Sequence, residues 1–324
     1  MKKLFIMMAA FSLLTFGMIS CDRNDDTTDN PTNPTNPTNP TNPTNPTDPT
    51  NPTSGPFDHN GASTSVFSVA ENKTVHFSRG NLQYQASTGT WRFAENQYDF
   101  IGNGNANISS SYSGWIDLFG WGTSGWNSGA TCYQPWSTST TYSDYYPGGE
   151  YTNNLTGNYA NADWGVYNRI SNGGNQAGMW RTLTYDEWNY LLFTRNASTV
   201  SSTGNARFAK ATVGSVTGLI VFPDSFTLPT GITMVGINST GAAFTDNAYT
   251  TQQWSQLEAN GALFLPAAGY RGGTDVFNVG SYGVYWSSSY IYEYNAWYVN
   301  FLSGRVRMNY FYRYYGVSVR LVKD

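Results

Sequence analysis

Apolar and polar residues alternate most regularly between residues 296 and 309 of this chain. The small residues Ser303 and Gly304 interrupt the alternation at its middle, and this pair suits the loop of a tight β-hairpin. Around that loop Leu302 faces Arg305, and each earlier residue faces a later one in turn. The pattern predicts two antiparallel strands joined by a two-residue turn.

This register divides the hairpin into two sets of side chains, because successive residues of a strand point to opposite faces. The apolar set, which we expect in the core, comprises Trp297, Val299, Phe301, Val306 and Met308. The other set, which we expect to face outward, comprises Tyr298, Asn300, Leu302, Arg305, Arg307 and Asn309. Tyr, Asn and Arg are common in recognition surfaces, so the second face is a candidate binding surface.

Tyrosine-rich segments flank the hairpin on both sides, and we predict that they extend the binding surface as loops. The alternative is that these tyrosines pack inside an aromatic-rich β protein, although clustered exposed aromatics usually mark interaction sites. The candidate ligand-binding residues are Tyr290, Tyr292, Tyr294, Asn295, Tyr298, Asn300, Arg305, Arg307, Asn309, Tyr310, Tyr312 and Arg313.

The same region carries a resemblance to a known family. The segments 283–289 (GVYWSSS), 296–301 and 316–322 (GVSVRLV) resemble the Fibrobacter-type major paralogous domain. The resemblance implies an α+β, C-type-lectin-like fold in the style of formylglycine-generating enzyme, rich in strands and loops with few short helices. It also suggests the variable proteins of diversity-generating retroelements, whose final residues vary on a fixed scaffold.

One clear helix is predicted within residues 180–192. Thr184 is its N-cap and Glu187 completes a capping box, while Trp188, Leu191 and Leu192 share one face. The segment is similar to a signature of the same fold family. The matching positions are Arg181, Leu183, Thr184, Glu187, Trp188 and Tyr190. We expect Glu187 to serve as a cap, without a catalytic duty.

Short alternating segments predict further strands. Residues 66–69 and 74–77 form a hairpin around a Glu-Asn-Lys turn, and residues 81–93 continue it as a meander. Residues 101–165 have little periodicity and are too long for an ordinary loop, which is typical of a functional segment or a packed irregular shell. Further strands are predicted at 219–223, 228 and 261–270.

The N-terminus is interpreted as a lipoprotein signal peptide, residues 1–20. Lys2 and Lys3 precede a short apolar run, and the sequence up to Cys21 resembles a bacterial lipobox, so Cys21 is the predicted lipidation site. The alternative is an ordinary cleaved signal peptide. The segment 22–26 (DRNDD) resembles the acidic export tag of surface-exposed Bacteroidetes lipoproteins. The resulting expectation is a lipid-anchored outer-membrane protein that faces the cell exterior.

Residues 21–56 form the predicted acidic tag and stalk, and residues 57–324 the globular domain, with an N-terminal portion 57–163 and a core 164–324. The repeat at 30–53 places proline at every third position, which disfavours regular structure and leaves nothing apolar to bury. We therefore predict a disordered, extended stalk that reaches about 70 Å.

Composition narrows the possible functions. The chain has 12% charged residues against 16% aromatic and a net charge of −4, so no nucleic-acid partner is expected. It has two cysteines and two histidines, which leaves no His/Cys ligand set for zinc or iron and no nucleophile elbow. Cys132 remains unpaired if Cys21 is lipidated. We expect no cofactor, no metal, no catalytic residue and a monomer.

The favoured function is recognition of an extracellular protein or glycan by the variable face of a surface lipoprotein. Two alternatives stay open: a carbohydrate-processing hydrolase with an aromatic cleft, and a structural subunit of a surface appendage. Glycoside hydrolysis would need two carboxylates brought together. Those that attract attention are Asp163, Asp186, Glu187, Glu258 and Asp275.

Overall fold

A computed structural model describes residues 55–324, so the signal peptide, Cys21 and the stalk repeat lie outside the described residues. The described residues form an α+β structure that is rich in strands and loops and has few short helices, as predicted. The strands are β1 (Phe67–Ala70), β2 (Lys73–Phe77), β3 (Leu82–Gln85), β4 (Thr90–Phe93), β5 (Trp115–Ile116), β6 (Phe208–Val213), β7 (Val216–Val221), β8 (Ala248–Tyr249), β9 (Leu263–Pro266), β10 (Tyr270–Gly272), β11 (Asp275–Phe277), β12 (Gly283–Tyr290), β13 (Asn295–Leu302), β14 (Arg305–Tyr312) and β15 (Val322–Lys323).

Helices are short throughout the described part of the chain. The α-helices are α1 (Trp164–Tyr167), α2 (Tyr185–Asn189) and α3 (Thr251–Ala259), and residues Tyr190–Thr194 continue α2 as a π-helical turn. The 3₁₀ turns are Gly102–Asn107, Tyr142–Tyr145, Pro147–Gly149, Gly157–Ala162 and Phe244–Asp246. The predicted irregular character of residues 101–165 is therefore confirmed, since they contain only short turns, the two-residue β5 and the start of α1.

The strands of residues 55–324 pair into five small sheets, with orders β1-β2-β15, β4-β3-β5, β8-β6-β7-β9, β10-β11 and β12-β13-β14. All pairings are antiparallel except that of β6 with β8. The predicted β1–β2 hairpin and the β3–β4 meander are confirmed. Leu228, predicted as a strand residue, lies outside any strand, and β6 was not predicted.

The predicted C-terminal hairpin is confirmed residue by residue. Leu302 pairs with Arg305 and Val299 with Met308, and the pairing continues to Asn295 and Tyr312. Gly304 has a φ of 79°, a left-handed conformation that glycine adopts without steric cost. A two-residue loop therefore closes strands β13 and β14, each of eight residues.

The sheet β12-β13-β14 lies between two hydrophobic clusters, so its central strand is buried on both faces. Val299 and Phe301 belong to a cluster that includes the α2 residue Trp188. On the other face, Tyr298 belongs to a second cluster built around Trp121 and Trp286. The hairpin is thus a central layer of the core, flanked by packed residues on both sides.

A buried segment next to β14 joins the sheets to one another. Residues Val317 to Val322 are all essentially inaccessible to solvent. Phe119 bridges to Val317, Tyr285 to Ser318, and the backbone N–H of Leu82 donates to the carbonyl of Val319 over 3.0 Å. Chain segments far apart in sequence are therefore held together by this one stretch.

Helix α2 confirms the predicted capping box. The Thr184 hydroxyl accepts from the Glu187 backbone N–H over 3.2 Å, and the Glu187 carboxylate accepts from the Thr184 N–H over 2.9 Å. Trp188, Leu191 and Leu192 are fully buried. Glu187 also pairs with Arg181 at 2.7 Å, which supports the structural role assigned to this carboxylate.

Helix α3 was not predicted, although its sequence carries the same kind of signal. The Thr250 hydroxyl accepts from the Gln253 backbone N–H, and the Gln253 side chain accepts from the Thr250 N–H. Trp254 and Leu257, three positions apart, are buried.

Within residues 55–324 no helix has the length and apolar character needed to cross a bilayer.

Candidate functional site

The predicted outward face of the hairpin is only partly exposed. Arg305 and Arg307 are exposed and Asn309 is half-buried, but Tyr298 retains 2% of its accessible surface and Asn300 none. The expectation that these two residues face solvent was wrong. Strand alternation assigned their face correctly, but it could not show that Tyr282 and Phe311 cover it.

The tyrosines after the hairpin also differ from the prediction. We expected Tyr310 and Tyr312 in a loop beside the outward face, whereas β14 continues through Tyr312. Both residues follow the alternation of Val306 and Met308, so they lie on the opposite face of the sheet from Arg307. The candidate residues therefore form two separate surfaces instead of one.

The larger of these surfaces is a cluster of tyrosines at the end of the sheet remote from the Ser303-Gly304 turn. We call it the tyrosine patch, and its members are Tyr142, Tyr151, Tyr292, Tyr294, Tyr310 and Tyr312. Tyr292 is 57% exposed and Tyr310 45%. Their rings pack edge to face at 5.4 Å, and those of Tyr142 and Tyr294 lie 3.9 Å apart.

The remaining flanking residues support the patch from within. Tyr290 is half-buried, and its backbone N–H donates to the Asn154 side chain over 2.9 Å. Asn295 is half-buried at the start of β13, where it pairs with Tyr312. These contacts fix the connection between β12 and β13, which carries Tyr292 and Tyr294.

Arg313, a predicted ligand-binding residue, is completely buried beneath the patch, so that assignment was wrong. Its guanidinium donates to the carbonyls of Asn295 and Tyr292, both over 3.3 Å, and to that of Tyr151. Two chain segments that carry patch residues, the one at Tyr151 and the connection between β12 and β13, are thus tied to a single side chain. Arg313 positions the patch without being accessible to a ligand.

Aromatic rings enclose the Arg313 guanidinium. It lies 4.6 Å from the ring centre of Trp121 and 4.9 Å from that of Tyr146, both within cation–π range. Burial lowers the pKa of Arg313 to about 10, so the side chain stays charged near neutral pH. Burial also raises the pKa of Tyr146 to about 12, with Glu293 adding to the effect.

One exposed carboxylate, that of Glu293, lies among the hydroxyl groups of the patch. The Tyr142 hydroxyl and then Glu293 raise the pKa of Tyr294 to about 12. A cluster of aromatic rings with hydroxyl groups at their edges can offer apolar contact and hydrogen bonds at the same time. This arrangement is suited to binding and carries no nucleophile or acid–base pair.

Two clefts within residues 55–324 each bring a pair of carboxylates to the same lining, Glu95 with Asp99 in one of about 460 Å³ and Asp58 with Asp324 in one of about 420 Å³. Asp99 accepts two hydrogen bonds from Asn96, and Glu95 pairs with Arg79 at 3.6 Å, so both carboxylates of the first cleft are held by local contacts. In the second cleft, Asp324 pairs with Arg181 at 2.6 Å. No group of three His, Cys, Asp or Glu residues in this part of the chain could hold a metal ion.

Two contributors to the patch were missed from the sequence, namely Tyr142 and Tyr151. They lie in the irregular segment 101–165, where no periodicity predicts which residues return to the sheet.

In comparisons with known proteins, no family model, curated protein or solved structure matches this chain.

Proposed function

We propose that this chain is a non-catalytic surface protein that binds an external ligand, a protein or a glycan, through the tyrosine patch. The observation that carries the proposal is the convergence of five exposed tyrosines on one end of a sheet: Tyr142, Tyr151, Tyr292, Tyr310 and Tyr312. Exposed aromatic residues gathered in one region usually mark an interaction site.

The support beneath the patch strengthens this proposal. A tyrosine side chain has few rotatable bonds, so it contributes a large contact area at a low entropic cost. Arg313 fixes the backbone on which Tyr151 and Tyr292 are carried. A surface that is ordered before binding loses less conformational freedom when the ligand arrives.

We further propose that the scaffold is a C-type-lectin-like domain related to retroelement variable proteins. The sequence resemblance supports this assignment, together with a fixed hairpin framework and a long irregular segment packed against it. In this proposal Val299, Phe301 and Val306 belong to the constant core. The exposed tyrosines are then the positions free to vary.

The proposal is tested by replacing Tyr292, Tyr310 and Tyr312 together with alanine. We expect at least a 100-fold loss of affinity, because aromatic hot spots carry most of the energy of an interface. The free energy of unfolding should fall by only about 1 kcal/mol per ring. Binding of the full chain is measured on an array of immobilised glycans and extracellular-matrix proteins, followed by titration against the captured species.

A matched control is Tyr167→Ala, since Tyr167 is 42% exposed but lies outside the patch. This variant should bind like the original protein. If the triple variant retained the original array profile and affinity, the patch would not be the binding surface.

We also propose that Cys21 anchors the protein in the outer membrane, facing the exterior, through attached lipid. Cys21→Ala should release the protein into the soluble fraction, since the attached lipid chains would hold it at the membrane. Cys132→Ala is the matched control, because Cys132 is a half-buried free cysteine of the folded region. Fractionation after a high-salt wash compares the membrane-bound fraction of Cys21→Ala with that of Cys132→Ala. Full retention of Cys21→Ala in membranes would contradict anchoring through lipid at Cys21.

A further inference from the structure

The sheet face opposite Tyr310 presents two arginines near the hairpin turn. Arg305 and Arg307 are both exposed and follow the same alternation along β14, so they lie side by side. Neither makes an ion pair with any residue in 55–324. Two neighbouring cations without a carboxylate partner favour an anion at this position.

A cleft opens beside Arg305, which forms part of its lining. Its volume is about 410 Å³, enough for a sugar-sized group. Its lining combines apolar and polar surface and comprises Asn278, Ser281, Tyr282, Leu302, Ser303 and Arg305. The hydroxyl and amide groups of this lining can both donate and accept hydrogen bonds.

A chain of hydrogen bonds includes Tyr282, a residue of the cleft lining, and is incompletely paired. Asn300 donates to the Tyr282 hydroxyl over 3.1 Å, the hydroxyls of Tyr282 and Tyr298 are 3.1 Å apart, and Asn309 donates to Tyr298 over 3.2 Å. The bond between the tyrosines uses one hydroxyl hydrogen and leaves the other without an acceptor in the described residues. The fully buried Asn300 side chain likewise has an unpartnered Oδ1. Such groups are usually satisfied by a partner.

Aromatic surface lies beside the polar lining. Phe277, which is 42% exposed, precedes Asn278 and stacks on Tyr270 at 5.3 Å. Tyr270 in turn contacts Tyr282, a residue of the cleft, at 6.0 Å. The site therefore combines cations, hydroxyl groups and an exposed ring.

We propose that this cleft binds an acidic saccharide, whose carboxylate is held by Arg305 and Arg307 while its hydroxyls contact the polar lining. A guanidinium matches the two oxygens of a carboxylate with parallel N–H donors. An acidic peptide would satisfy the arginines as well, but it would leave the hydroxyl-rich lining with fewer partners. The inference goes beyond the tyrosine patch, which lies on the opposite face and at the other end of the strands.

The test uses trigalacturonic acid as the probe and its methyl ester as the matched uncharged ligand, with binding to the full chain measured by calorimetry. The acid should bind at least about tenfold more tightly than the ester, because hydrogen bonds to charged groups are the stronger ones. The double variant Arg305→Gln, Arg307→Gln should lose at least about tenfold in affinity for the acid. Arg169→Gln removes the same charge from an exposed arginine elsewhere and should bind as before.

Four results would overturn the inference. They are no detectable binding of the acid up to about 10 mM, equal affinity for acid and ester, unchanged affinity in the double variant, and an affinity for triglutamate equal to that for trigalacturonic acid. The last result would assign the cleft to acidic peptides. Thermal unfolding of each variant verifies that it is folded. A folded Arg305→Lys, Arg307→Lys double variant with intermediate affinity for the acid would support recognition through the paired N–H donors of the guanidinium groups.

Discussion

Replacing Arg313 with alanine is expected to lower the free energy of unfolding by about 3 kcal/mol or more. The substitution leaves a cavity between Trp121 and Tyr146 and removes the donors of the carbonyls of Tyr151, Tyr292 and Asn295. The variant no longer buries a cation, which offsets part of this loss. Chemical denaturation of the full chain measures the net change in the free energy of unfolding.

Arg313→Ala should also weaken ligand binding at the tyrosine patch, since two of those carbonyls belong to patch residues. Arg305→Ala is the control for stability, because Arg305 is exposed and its replacement should change the free energy of unfolding by no more than about 0.5 kcal/mol. Equal destabilisation by the two substitutions would contradict the role assigned to Arg313.

Replacing Trp188 with alanine is expected to cost about 3–5 kcal/mol of the free energy of unfolding, the range found for buried aromatic residues. The indole is fully buried, and its Nε1–H donates to the carbonyl of Trp286 over 3.2 Å. Its ring lies 6.0 Å from that of Phe77. Loss of this side chain leaves a void between α2 and two sheets.

Thr184→Ala in the same helix provides the comparison. It removes the N-cap acceptor of the Glu187 backbone N–H and should cost about 1 kcal/mol. Both variants are measured by chemical denaturation under the same conditions. If Thr184→Ala proved the more destabilising of the two, burial of Trp188 would not be what holds α2 in place.

The register of the hairpin could be predicted because the information that determines it is local. Strand alternation and a two-residue turn determine which residues pair, and all pairs from Leu302–Arg305 outward agree with the structure. The exposure of its second face could not be predicted in the same way. Tyr298 and Asn300 are buried because Tyr282 and Phe311 cover them, and alternation within one hairpin carries no information about such neighbours.

The tyrosine patch was predicted only in part, both in its members and in its geometry. Tyr292, Tyr310 and Tyr312 are exposed as expected, but β14 runs longer than predicted and separates Tyr310 from Arg307. An arginine placed between tyrosines could have indicated burial of Arg313 against aromatic rings. The carbonyls that hold it come from distant segments, whose approach no local pattern reveals.

The burial of residues 317–322 affects how the protein is made. These residues join β12 to the early strands and to the segment before α2, so the nascent chain lacks a central part of its core until the ribosome has translated them. Domains usually fold as units during synthesis, beginning with whatever has emerged. We therefore expect the N-terminal portion to complete its packing only after residues 317–322 have emerged. A chain whose synthesis stops at Tyr315 should expose the apolar surface that this segment covers.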